Sequence, residues 1–208
     1  MKKIIKILFV SFFIFFNSLA CAQSFKGLDV LALAKMNCPE VVKIIPPSFA
    51  IGVLDGTFGD PAPCLKSILE TGKVNAVRIH LINGTCWRNR VCDRSEPSPT
   101  DIRTIENRAR KYSELLKKYP NVICYLSPVL EHDIKDANKA IANIEAIKRA
   151  APNCVPVNSP FTGYRVPGTL GEYHGNSAKG DIISNDGQSI FDSNSPLYQN
   201  NGKVITFG

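Results

Sequence analysis

The sequence predicts an α/β protein built on a parallel sheet. Three observations carry this expectation. Short runs rich in Val, Ile and Leu alternate with segments of helical period from Ser48 to Val157, and the runs end at Asp, Asn, Gly or Pro turn signals. Four strands and three helices also fit into about 110 residues with connections of ordinary length.

Phe49 to Leu54 is the first expected strand, ended by Asp55-Gly56. Pro63 to Thr71 follows as a short helix with Leu65, Ile68 and Leu69 on one face and Gly72 as its stop signal. Val74 to Ile82 is the second strand and closes at Asn83-Gly84. After a loop carrying Cys86 and Cys92, Asp101 to Tyr119 shows Ile102, Ile105, Ala109, Tyr112 and Leu116 at helical spacing behind a Thr100 cap, and Pro120 ends the helix. Asn121 to Leu130 is the third strand, Asp136 to Ala151 the third helix with Ile141, Ile144 and Ile147 inward, and Cys154 to Val157 the fourth strand.

After Asn158, Gly, Pro, Asn and Ser become frequent and no long amphipathic helix is found. Gly180 to Ser184 and Lys203 to Phe207 are further strand candidates, and Tyr173-His174 ends a very short one. Six or seven strands in this length suit a (β/α) barrel-like architecture that is compact or incomplete, with short second-half helices, or a truncated product.

Residues 1–22 have the form of a secretory signal peptide. Lys2, Lys3 and Lys6 precede an apolar run from Ile7 to Phe16, which is too short to span a bilayer stably, and Ala20-Cys21-Ala22 supplies a cleavage site. Removal takes away three lysines and no acid, lowering the formal charge from +7 to +4 and leaving residues 23–208 as a single domain. No second apolar stretch is long enough to cross a membrane. The expected location is secreted or periplasmic. Ser18-Leu19-Ala20-Cys21 also has the form of a bacterial lipobox, which makes lipid anchoring through Cys21 the alternative.

Six cysteines remain, an even number suited to disulfides in an oxidising space. Cys86 and Cys92 are close enough for a local staple; Cys124 with Cys154 and Cys38 with Cys64 are the other expected pairs. No C-x₂-C knuckle points to zinc.

Functional groups of parallel α/β folds collect at the carboxyl ends of strands. Asp55, His80, the Glu131-His132-Asp133 run, Asn158, His174 and Asp186 all fall at or just after such ends. Taken singly, Asp before Gly reads as a turn residue, Asp133 or Asp136 as a helix cap, and a lone His as structural. Together they suit hydrolysis by paired carboxylates, one protonating a leaving oxygen and the other serving as nucleophile or base. Glu131 is the general-acid candidate, with Asp186 as first and Asp55 as second choice of partner. His80, Asn158 and His174 are expected to orient substrate, and Trp87, Tyr164 and Tyr173 offer flat faces for stacking on sugars. Trp87 serves equally well as a cover for the neighbouring disulfide.

The order Phe49-Ala50-Ile51-Gly52-Val53, Ala76-Val77-Arg78-Ile79-His80 and Tyr125-Leu126-Ser127-Pro128-Val129-Leu130-Glu131-His132 resembles the opening half of glycoside-hydrolase TIM barrels, over about Ser48 to Asn158. The resemblance implies a barrel, a polysaccharide or glycan substrate, no cofactor, and a carboxylate acid/base at the end of a strand. In the large retaining group that strand ends in Asn-Glu. Leu130-Glu131 stands there in this chain, ending the third expected strand, and no Glu matches the group's late-strand nucleophile.

Two further functions are open. A metal-dependent hydrolase would use His80 and His174 with Glu131, Asp186 or Asp55 as ligands, although no H-E-x-x-H motif occurs. A non-catalytic carbohydrate-binding or cell-surface protein fits the short chain and the missing nucleophile. Other classes lack their signatures: there is no G-x-S-x-G, G-x-G-x-x-G or P-loop pattern. The basic residues of Asp101 to Tyr119 are interspersed with Asp101, Glu106 and Glu114, which is a solvated face rather than a nucleic-acid stripe.

Overall fold

A helix that follows a strand and precedes another returns the chain to the start of the sheet, so alternation of the two forces parallel pairing. A computed structural model describes residues 26–92, 95–174, 182–184 and 205–207. The protein is α/β, with a parallel sheet of five strands in sequence order: β1 (Lys26–Asp29), β2 (Phe49–Leu54), β3 (Val74–His80), β4 (Ile123–Ser127) and β5 (Val155–Asn158). Helix α1 (Cys38–Ile44) joins β1 to β2, and α2 (Ala62–Leu69) joins β2 to β3. The short α3 (Gly84–Arg88) and the long α4 (Ile102–Leu116) lie between β3 and β4, and α5 (Ala137–Ala150) joins β4 to β5. Strand segments β6 (Leu170–His174), β7 (Ile182–Ser184) and β8 (Ile205–Phe207) follow.

Strand β1 and helices α1 and α3 were not among the expected elements, and the first of these changes the numbering of the rest. Phe49–Leu54 is the second strand, so Glu131 follows the fourth and not the third. The four residues of β1, Lys-Gly-Leu-Asp, carry no apolar run; pairing of Lys26–Asp29 with Phe49–Gly52 makes them a strand. Gly27 permits this approach, because a Cβ there would lie 2.6 Å from the Ala50 carbonyl oxygen. Two local expectations are also corrected. The cap of α4 is Asp101, not Thr100: its carboxylate accepts from the Thr104 N–H (3.1 Å) and hydroxyl (2.8 Å), and these bonds lower its pKa. Ile141 is 38% exposed instead of inward, since Ala140, Ile144 and Ile147 form the buried stripe of α5 and residue 141 sits beside it.

One sheet face packs on the helices. Ile51, Val53, Val77, Ile79 and Leu126 meet Leu65 and Ile68 of α2, Ile105 and Tyr112 of α4 and Ile147 of α5 in one core. The opposite face carries Ala50, Ala76, Tyr125 and Val157 as a second cluster. Arg78 and His80, both fully buried, share this face by the two-residue period of the strand. Gly52, Arg78 and Tyr125 are in register, as are Leu54, His80 and Ser127. Burial raises the pKa of Tyr125.

The three disulfides are Cys38–Cys64 between α1 and α2, Cys86–Cys92 around the end of α3, and Cys124–Cys154 beside β4 and β5. No helix among the described residues is long and apolar enough to cross a membrane.

Cys124–Cys154 joins residues 30 apart in sequence, which by loop-closure entropy is worth roughly 3 to 4 kcal/mol. The double variant Cys124→Ala/Cys154→Ala is expected to lose that amount of unfolding free energy in urea titration. A loss below about 1 kcal/mol would contradict the assigned role.

Candidate active site

The chain leaves β4 at Ser127-Pro128, where the Ser127 hydroxyl donates to the Val129 carbonyl at 3.2 Å. Three backbone groups then bind neighbouring strand ends: Leu130 N–H donates to Ile82 O (2.9 Å), Glu131 N–H to Ser159 Oγ (3.3 Å) and His132 N–H to Ser159 O (3.1 Å). Between these bonds Glu131 takes a left-handed backbone, φ 47°. A non-glycine residue pays for that conformation, and such strain persists where its surroundings over-determine it.

Helix α3 supplies the partners of the Glu131 side chain. Asn83 caps it, accepting from the Cys86 N–H at 3.2 Å, and Gly84 starts it. A Cβ on Gly84 would lie 2.2 Å from Leu130 O, so only glycine lets the helix seat against the end of β4. Thr85 and Arg88, three residues apart on one face, then reach the same atom. Thr85 Oγ1 donates to Glu131 Oε2 at 2.9 Å, and Arg88 Nη2 lies 2.9 Å from it. Glu131 is 8% exposed.

Arg88 is held flat by Phe161, whose ring centroid is 3.8 Å from the guanidinium carbon. Its Nη1 is buried and has no hydrogen-bond partner among the described residues. The same guanidinium borders a cleft of about 440 Å³, together with Trp87, Thr100, His132, Lys135 and Lys139. Trp87 is 42% exposed, with its indole N–H donated to Pro97 O at 2.8 Å. Phe161 is 55% exposed.

His132 forms the floor. Its Nδ1 accepts from the Ile134 N–H at 3.2 Å and its Nε2 lies 3.0 Å from the Asn158 side-chain amide, whose oxygen accepts from the Val166 N–H at 3.0 Å. Gly163 lies so close that a Cβ would come within 2.4 Å of His132 Nδ1. Burial lowers the pKa of His132 to about 4 against the opposing pull of Asp133, so the ring is neutral near pH 7.

Among the residues expected from sequence, Glu131 and Asn158 are thus brought together through Ser159 and His132, and Trp87 lies at the cleft. Asp55 does not share these partners. It is buried under α4, with Lys111 Nζ at 2.7 Å and Arg108 Nε at 3.9 Å from its Oδ2, and Arg108 also donates to the Asp55 and Leu81 carbonyls. Burial, reinforced by the Asp55 charge, raises the pKa of the adjacent Tyr112 phenol. His80 is fully buried in the sheet. Tyr173 and His174 end β6, but their side chains lie outside the described residues, as does Asp186 altogether. No group of three or more His, Cys, Asp or Glu side chains among the described residues could hold a metal ion.

Sequence reasoning missed Thr85, Arg88, Ser159 and Phe161. The Asn83-Gly84 pair was the available signal, since Asn followed by small residues can cap a helix as well as make a turn.

Because the folded pKa of His132 lies below its unfolded value of 6.5, the neutral ring contributes stability that is full above pH 6.5 and declines as pH falls towards 4. The decline is expected to be on the order of 3 kcal/mol. Urea midpoints measured across that window are expected to fall more steeply for the wild type than for His132→Gln; superimposable profiles would contradict the assignment. No family model matches the chain, and no curated protein matches it.

Proposed function

We propose that this chain is a secreted or periplasmic glycoside-hydrolase-like enzyme acting on a polysaccharide or glycan, with Glu131 as its essential carboxylate. The observation that carries the reading is Glu131 itself: a buried carboxylate at a strained position after the fourth strand, gripped by Thr85 and Arg88 beside a cleft that Trp87 borders. Trp87 supplies an exposed apolar face on which a sugar ring can stack, and Glu131 serves as general acid once Arg88 moves off it. Asp186 is the partner carboxylate of this proposal, since Asp55 is engaged by Lys111.

The fold that goes with this activity is an eight-stranded (β/α) barrel. It is supported by parallel pairing of Val157-Asn158 with Leu170-Gly171, of Glu172–His174 with Ile182–Ser184, of Ile182–Ser184 with Ile205–Phe207, and of Thr206-Phe207 with Lys26-Gly27. Export is supported by the leader-like residues 1–22 and the three disulfides.

A second reading, a non-catalytic carbohydrate-binding or cell-surface protein, is favoured by one observation: Glu131 and Asp55 are both ion-paired. Turnover separates the two. Reducing-end release from a polysaccharide panel is expected from the wild type and to fall at least about 100-fold in Glu131→Gln, with folding and glycan binding kept within a few-fold. Normal turnover by folded Glu131→Gln would remove Glu131 from the chemistry, and glycan binding with no turnover by the wild type would establish the second reading.

A further inference from the structure

The cleft beside Glu131 is bordered by three cations, Arg88, Lys135 and Lys139, and by two acids, Asp133 and Asp136. Arg88 gives Nη2 to Glu131 and keeps Nη1 buried without a hydrogen-bond partner among the described residues. Lys139 is exposed, and its ammonium makes no ion pair among the described residues; Lys135 spends its ammonium on the Thr162 carbonyl. The two acids of the wall are engaged locally. Asp133 accepts from the Thr162 N–H (3.2 Å) and hydroxyl (2.6 Å), and Asp136 accepts from the Asn138 (2.9 Å) and Lys139 (3.2 Å) N–H groups as the cap of α5.

A flat guanidinium with one nitrogen on a carboxylate and the other a buried donor lacking a partner among the described residues suits a second carboxylate. Phe161 keeps the plane of Arg88 fixed while leaving its own outer surface exposed. We propose that the cleft takes a carboxylated glycan, one built from uronic acid units, and that Arg88 is the specificity residue which receives the sugar carboxylate, with Lys139 as a second contact.

The inference rests on the glycan-hydrolysing reading and deepens it. A sugar carboxylate arriving at Arg88 competes with Glu131 for the same guanidinium. A neutral glycan lacks the group that would engage Arg88.

The test compares oligogalacturonate, oligomannuronate and hyaluronan oligomers with their uncharged methyl esters by calorimetric titration of the intact, disulfide-bonded protein. At least one free acid is expected to bind tenfold or more tightly than its ester, with that preference shrinking as salt rises. Arg88→Gln and the surface variant Lys139→Gln are expected to reduce the preference, Arg88→Gln to within about threefold; Lys139→Gln covers the case in which the Arg88 variant does not fold. Esters that bind as well as the acids would overturn the inference. Glu131-dependent turnover of neutral glycans alone would overturn it while leaving the glycosidase reading intact. No binding and no turnover of any glycan would remove both.

Discussion

Glu131 and the short helix before it hold each other in place, and the geometry of the cleft follows from that contact. Gly84 lies against the carbonyl of Leu130, which brings Thr85 and Arg88 within reach of one carboxylate oxygen on the adjacent strand end. A larger residue at position 84 would lift α3 from β4 and separate both donors from Glu131 at once. The Cys86–Cys92 bridge closes the chain around Arg88. Backbone strain at Glu131 is sustained because Ile82 and Ser159 bind the residues on either side and its own N–H.

The electrostatics of the strand ends divide by depth and by partner. Asp55 faces α4, where Lys111 and Arg108 neutralise it and tie β2 to that helix; this is an architectural ion pair with a buried carboxylate and part-exposed cations, costly to break by removing the cations. Glu131 pairs with Arg88, which borders the cleft and keeps one guanidinium nitrogen without a hydrogen-bond partner among the described residues. His132, close to Glu131 in sequence, is kept neutral by burial and takes part as a hydrogen-bonding floor that fixes Asn158 and the loop through Gly163. Three titratable groups with similar positions in the strand pattern therefore do three different things.

Strong local periodicity made most of the helical layer and β2 to β5 readable from sequence. The stripe Ile105, Ala109, Tyr112, Leu116 and the Val- and Ile-rich strands leave few alternatives to a helix on a parallel sheet. Strand β1 was illegible because its four residues owe their form to pairing with β2, a contact no local window contains. Helix α3 was hidden by its length and by Asn-Gly, which more often marks a turn. Glu131 could be selected because a lone Glu after an apolar strand stands out. Arg88 and Phe161 could not, since only the fold places residue 161 against residue 88 and residue 88 against residue 131. The role of Asp55 was ambiguous for a similar reason: Asp-Gly after a strand reads as a turn or a site, while its lysine lies 56 residues further on.

The most direct test is a crystal structure of the folded Glu131→Gln protein with its tightest-binding oligosaccharide. The expected result is a sugar ring against Trp87, a glycosidic oxygen within hydrogen-bond distance of the residue 131 amide, and Arg88 turned towards the ligand. An oligosaccharide bound on another face, or seated in the cleft with its glycosidic oxygens remote from residue 131, would contradict the assignment of this site.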